Sequence, residues 1–166
     1  IASAKVAPHN PNVLLNIGDM YTRHKEYQKA IDSLTKAIQI KPDYGDAYHN
    51  MANAQVLLFG EDKNASHLNE AITNYQSAIK YNPVLWQSYQ SLAYIYYDFK
   101  MYDKATEYLN GAIKINPGNM SLHYNLGLIY LNSGNSQKAK ETFSKILTVD
   151  PGNQDAVNAI KQISPP

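Results

Sequence analysis

The chain of 166 residues has a formal charge of +1 and 17% charged side chains, so it offers no general electrostatic attraction to nucleic acid or an anionic membrane. It holds no cysteine, which excludes disulfides, thiolate zinc sites and cysteine nucleophiles. Its longest candidate apolar run, Val56–Phe59, is four residues where a membrane span needs roughly 18, so direct membrane insertion is not expected.

The length suits one domain. The opening IASAKVAPHN lacks the basic start and long apolar core of a secretion signal, and a start at Ile1 reads as an excised or processed piece. The compartment stays open, with the cytoplasm slightly favoured. Prolines at 8, 42, 83, 117 and 151 are spaced 34, 41, 34 and 34 residues apart. A period of that size marks a repeat array in which each unit is a helix–turn–helix pair. Aligned on the prolines, residues 1–10 end a preceding repeat, and 11–44, 45–85, 86–119 and 120–153 are four units. Residues 154–166 form a capping helix and tail, the whole making one domain.

The first unit opens with Asn10 before Pro11, a helix-start signature, and places Leu14, Ile17, Gly18 and Tyr21 at helical spacing, then Ala30, Leu34 and Ala37 before Pro42. The second has Tyr48, Met51, Ala52 and Gln55, then Ala71, Tyr75, Ala78 and Pro83, with seven extra residues around 59–66. Gly60 is read as ending a helix there, and Asn64 or Ser66 as capping the next. The insertion reads either as a tolerated surface loop or as a protrusion presenting Leu57 and Phe59 to a partner. The third unit, from Trp86 to Pro117, carries Tyr89, Leu92, Ala93 and Tyr96, then Ala105, Leu109 and Ala112. The fourth carries His123, Leu126, Gly127 and Tyr130, then Ala139, Phe143 and Pro151, with Ile146 where the others are small. Asn119 and Asn153 are placed to cap the helices that follow. Residues 154–163 read as one more helix, apolar at Ala156, Val157, Ile160 and Ile163 and polar at Asn158, Lys161 and Gln162, ended by Pro165–Pro166.

Glycine in mid-helix costs about 1 kcal/mol relative to alanine. Small residues recurring at 18, 52, 93 and 127 therefore imply a neighbouring helix pressed against the backbone. Gly134 suits a left-handed turn between two helices. Lys25 and Lys100 hold the equivalent places, where the turn is expected to be strained or differently shaped.

These units resemble tetratricopeptide repeats, whose 34 residues follow W-x2-L-G-x2-Y, A-x3-F and P. The resemblance covers nearly the whole chain, with Gln55 departing from the expected tyrosine. It implies an all-α fold, a right-handed superhelical α-solenoid of antiparallel helix pairs. It also implies that the first helix of each pair lines a concave groove for a protein or peptide. Carried over position by position, the groove-facing residues are Asn16, Asp19 and Arg23 in the first unit, and His49, Asn50 and Asn53 in the second. The third contributes Gln87, Gln90, Ser91, Tyr94 and Tyr97, and the fourth Tyr124 and Asn125, with Asn12, Asp46, Asp98, Ser121, Asn132 and Asn158 at further groove places.

Asn16, Asn50 and Asn125 share one place in their units, with Ser91 breaking the series. A side-chain amide donates and accepts, so such a series could bond a peptide backbone without reading its sequence. It resembles the asparagine ladder of O-linked N-acetylglucosamine transferase repeats, and asparagine is also common at that place in the family. Tyr94, Tyr97 and Tyr124 are expected to be exposed, as binding aromatics would be. Ordinary packing between repeats is the competing account. The places by which related repeats grip chaperone carboxylates hold Leu15, Asp19, Asn50, Gln87 and Ser91, or one unit later His49, Asn53, Ser91, Ser121 and Asn125. The cationic members are missing in both registers, because most lysines (Lys29, Lys36, Lys80, Lys104, Lys114, Lys138 and Lys145) fall on second helices.

Five scattered histidines show no H-E-x-x-H spacing, and there is no glycine-rich phosphate loop. No metal, cofactor or catalytic centre is expected. Asn64-Ala-Ser and Asn119-Met-Ser fit the glycosylation pattern, which matters only in a secretory lumen. Three functions fit these observations: a non-catalytic interaction scaffold; the recruiting or regulatory arm of a larger enzyme such as a glycosyltransferase; or a self-assembly module acting through its N-terminal edge or the insertion. The third unit, with its serine and two tyrosines, is where specific recognition should centre.

Overall fold

The computed structural model describes residues 9–163. Among them the backbone forms α1 (Pro11–Arg23), α2 (Tyr27–Ile40), α3 (Gly45–Asp62), α4 (Ala65–Tyr81), α5 (Trp86–Asp98), α6 (Tyr102–Ile115), α7 (Met120–Asn132), α8 (Ser136–Val149) and α9 (Gln154–Ile163), with no strand. The all-α class is the expected one. The preceding-repeat ending over residues 1–8 and the stop at Pro165–Pro166 lie outside the described residues.

The helix starts follow their caps. Asn10 Oδ1 accepts from Asn12 N at 2.9 Å, with Pro11 in the first helical position. Asn119 and Asn153 do the same for α7 and α9, accepting from Ser121 N and Ala156 N at 3.1 Å each. Of the two caps considered for α4, Asn64 fills the role, accepting from Ser66 N at 3.1 Å.

Three of the turns within pairs share one geometry. After α1, α5 and α7, a residue at positive φ (Lys25 at 61°, Lys100 at 57°, Gly134 at 82°) reverses the chain. Each turn makes the same two bonds: Lys25 N to Thr22 O with Glu26 N to Tyr21 O, Lys100 N to Tyr97 O with Met101 N to Tyr96 O, and Gly134 N to Leu131 O with Asn135 N to Tyr130 O. The lysine turns keep the glycine shape, so their difference is held as backbone strain.

The insertion is not a loop. α3 runs through Gly60 to Asp62, and only Lys63 and Asn64 separate it from α4. Five more residues in α3 than in α1 and three more in α4 than in α2, with one fewer in the turn, absorb the seven. Gly60 fails as a stop because Lys63, in the left-handed region at φ 59°, ends the helix one turn later, its N–H bonded to Phe59 O. Leu57 is exposed and Phe59 half-buried beneath the Lys63 ammonium, 5.8 Å from the ring centroid.

The helices form two compact units, one ending at Ser88 and the other beginning at Tyr89. A repeat array buries each helix only against its neighbours, so no single core has to span it. In the first unit α2 packs on α1, α3 on α2 and α4 on α3, with α1 also touching α3, around Leu14, Leu34, Ala37, Tyr44 and Ala47. In the second, α6, α7, α8 and α9 pack in succession, and Phe143 and Ile146 of α8 meet Ala156 and Ala159 of α9. The part of α5 within this unit lies on α6, with Tyr96 stacked on Tyr108 at 5.4 Å. Ile146 is buried to 1% exposure because the two alanines of α9 leave room for it. The packed stripe of α9 is Ala156 and Ala159, both buried, with Ile160 and Ile163 partly buried beside them.

The small mid-helix residues are where the paired helices touch. A Cβ added to Gly18 would stand 2.5 Å from Leu34 Cγ, and one added to Gly127 would fall inside the Phe143 ring edge. Ala52 and Ala93 are fully buried at the equivalent places.

The turn geometry and the close contacts are each testable by substitution. Lys25→Gly and Lys100→Gly should each raise stability by about 0.5–1 kcal/mol, the left-handed strain outweighing the added chain entropy, while Gly134→Ala lowers it by about 1 kcal/mol. Urea unfolding midpoints measure both. A second prediction pits propensity against space. Gly60→Ala, with nothing within 4 Å of the new methyl, should stabilise by about 0.5–1 kcal/mol. Gly127→Ala gains the same propensity but overpacks Phe143, and a net loss of about 1 kcal/mol is expected.

Candidate functional site

In the first unit, several of the groove-facing residues are bonded within the fold. Asp19 and Arg23 pair at 2.7 Å across one helical turn, with both side chains largely exposed, so the pair adds little stability. Asn12 Oδ1 accepts from the Tyr44 hydroxyl at 2.7 Å. Asn16 is exposed and Asn50 half-buried.

His49 and Asn53 belong to a chain of hydrogen bonds. The Tyr75 hydroxyl donates to Asn53 Oδ1 at 2.6 Å, which turns the Asn53 amide nitrogen toward His49 Nε2 at 3.1 Å. Nε2 therefore accepts, and Nδ1 carries the proton toward Ser88 Oγ at 2.9 Å. The neutral ring has both nitrogens satisfied. Burial lowers the His49 pKa from its ordinary value, and the Asp46 carboxylate pulls weakly the other way.

Gln55, which departs from the repeat pattern, is buried and bridges α3 to α4. Its Nε2 donates to Glu70 Oε2 and its Oε1 accepts from Asn74 Nδ2, each at 2.8 Å. Its role could not be read from position alone, since both partners lie on the next helix.

The second unit brings three of the expected residues together. Gln90 Nε2 and Asn125 Nδ2 both donate to the Tyr94 hydroxyl oxygen, at 3.0 and 2.6 Å. A phenol that accepts two amide protons has its own proton left to donate. Asn125 in turn keeps its Oδ1 as an acceptor. The pair thus presents one donor and one acceptor side by side, matching the C=O and N–H of one residue in an extended segment, which lie on the same side of the strand.

Tyr94 is 45% exposed, as expected of a contact aromatic. Tyr97 and Tyr124 are half-buried rather than exposed, a correction with a plain cause. Tyr97 meets Tyr102 edge-on at 6.0 Å, and Tyr124 tilts against Phe143 at 5.4 Å. Packing within the helix pairs covers part of each ring. Gln87 and Ser91 are half-buried. Gln87 lies in the first unit, so it is not part of this constellation.

Two hollows flank the Tyr94–Asn125 pair. One, of about 310 Å³, is bordered by Tyr94, Ser121, Tyr124, Asn125, Asn153 and Asp155. The other, of about 80 Å³, is a notch between Tyr94, Tyr97, Asn125, Leu128 and Ile129. Asp155, Asn153, Leu128 and Ile129 were not among the expected site residues. Asp155 was within reach of the repeat rule, because it holds the second place of its unit, as Asn12, Asp46, Gln87 and Ser121 do. Among the described residues, no group of three or more His, Asp or Glu side chains could hold a metal, and no helix is long and apolar enough to cross a membrane.

Family models of repeats match the chain in three stretches: one described as "TPR repeat" over residues 18–58, and two described as "Tetratricopeptide repeat" over 63–120 and 96–163. Solved structures similar to it include a MamA protein, 29% identical over 87% of this chain and 75% of that one with a TM-score of 0.73. A second MamA structure is 25% identical over 97% of this chain and 84% of the other, with a TM-score of 0.74. A thermophilic TPR protein of Thermus thermophilus is 19% identical over 94% of this chain and 82% of that one, with a TM-score of 0.70, a likeness of fold alone.

The His49 chain generates a pH prediction. A histidine held neutral in the native state binds a proton more readily once unfolded, so stability is full above about pH 6.5 and falls as pH drops below it. The urea midpoint should decline as pH falls from about 6.5 to 5.5, and more steeply than in His49→Gln, whose side chain does not titrate. Ring proton shifts should show His49 titrating below its ordinary value.

Proposed function

Because the chain belongs to the tetratricopeptide repeat family, whose members generally bind proteins or peptides, we propose that it is a non-catalytic scaffold holding an extended peptide in the groove of its second unit. The observation that carries this reading is the Tyr94–Asn125 pair. It sets a hydroxyl donor and an amide acceptor side by side on an exposed surface between two hollows. The donor–acceptor pair serves the backbone of an extended segment, and the hollows serve side chains that project from it. Tyr94 adds contact area at small entropic cost, since its hydroxyl is already fixed by two amides. The absence of catalytic motifs in the sequence supports the non-catalytic half of the reading.

The test replaces Tyr94, Tyr97 and Asn125 together with alanine in the 166-residue chain and compares affinity capture from native lysate. Loss of the captured partner with an unchanged helical circular dichroism signal is the expected outcome. Capture equal to that of the parent chain would overturn the groove assignment.

A further inference from the structure

The second unit separates charge by helix. On α7 there is no Asp, Glu, Lys or Arg, and its one titratable imidazole, His123, is turned to Pro117 O at 2.9 Å. The α5 residues of this unit carry Asp98 alone. Lys104, Lys114, Lys138, Lys140 and Lys145 all lie on α6 and α8. At the larger hollow the single charged border residue is Asp155. It stands in the first turn of α9. The carboxylate makes no ion pair among the described residues, while neighbouring Asn153 is occupied with Ala156 N and Asp150. The smaller hollow has the opposite character, with Leu128, Ile129 and two tyrosine rings around a space the size of a short aliphatic group.

Tyr94 and Asn125 border both hollows and bond to each other, so they stand between the acidic hollow and the apolar one. We propose that the groove selects a peptide segment in which a lysine or arginine lies close in sequence to a short aliphatic residue. The cationic group meets Asp155, the aliphatic group fills the notch, and the C=O and N–H of one extended residue of the segment bond Tyr94 and Asn125. This rests on the groove reading above and gives it a chemical preference. Charge complementarity decides among occupants: an acidic peptide would meet Asp155 with no cation at the hollow to offset the repulsion. A bulky aromatic side chain would overfill a space of about 80 Å³.

The experiment is a positional-scanning library of acetylated, amidated hexapeptides binding the 166-residue chain, followed by fluorescence anisotropy. Lys or Arg should be enriched at one position and Ala or Val near it. The preference for a cation over its neutral counterpart should be about two- to fivefold, the range of a solvent-exposed ion pair. It should shrink at high salt. Asp155→Asn should remove that preference, and Asp155→Lys should transfer it to Glu. Binding without a cation preference, or with an acidic one, would overturn this inference and leave the groove reading standing. No binding by any library member would overturn both.

Discussion

The contact on which this structure depends is the approach of the first helix of each pair to the second at a residue without a large side chain. At Gly18 and Gly127 the facing residues, Leu34 and Phe143, occupy the volume that a Cβ would need. Glycine's propensity penalty of about 1 kcal/mol is smaller than the cost of overpacking a large buried side chain. Shape therefore wins over propensity. The same contact orients the first helix. With its small residue turned to the partner helix, the positions about half a turn away face outward, and Asn16 and Asn125 lie there, two residues before Gly18 and Gly127.

Much of this was legible because it depends on period and local chemistry. The proline spacing divided the chain, the small residues marked the close contacts, and Asn10, Asn119 and Asn153 capped the helices they were placed to cap. What escaped depends on competition between local signals. Gly60 reads as a stop, yet a helix ends where a left-handed residue offers a better cap, and Lys63 does so one turn later. Tyr97 and Tyr124 sit at groove places by count, yet a ring reaches two surfaces at once, and Tyr102 and Phe143 each claim one side. Gln55 looked like a departure from pattern. Its meaning is a buried amide satisfied by Glu70 and Asn74, a pairing that only the packed helices bring about.

The two units use similar polar positions to different ends. In the first, His49 and Asn53 are bonded through to Tyr75 and Ser88, Asn12 to Tyr44, and Asp19 to Arg23. A ligand arriving there would exchange one protein hydrogen bond for another. The net gain per bond, only about 1 kcal/mol even against water, would largely vanish. In the second, the Tyr94 hydroxyl already accepts from Gln90 and Asn125, so its proton and Asn125 Oδ1 can meet the C=O and N–H of one extended residue without breaking either bond. The internal bonds also hold Tyr94 in place before a ligand arrives, which lowers the entropy lost on binding. On the proposed reading the two units divide the work: His49, Asn53 and Asn12 of the first are bonded within the fold, and Tyr94 and Asn125 of the second are held ready for contact.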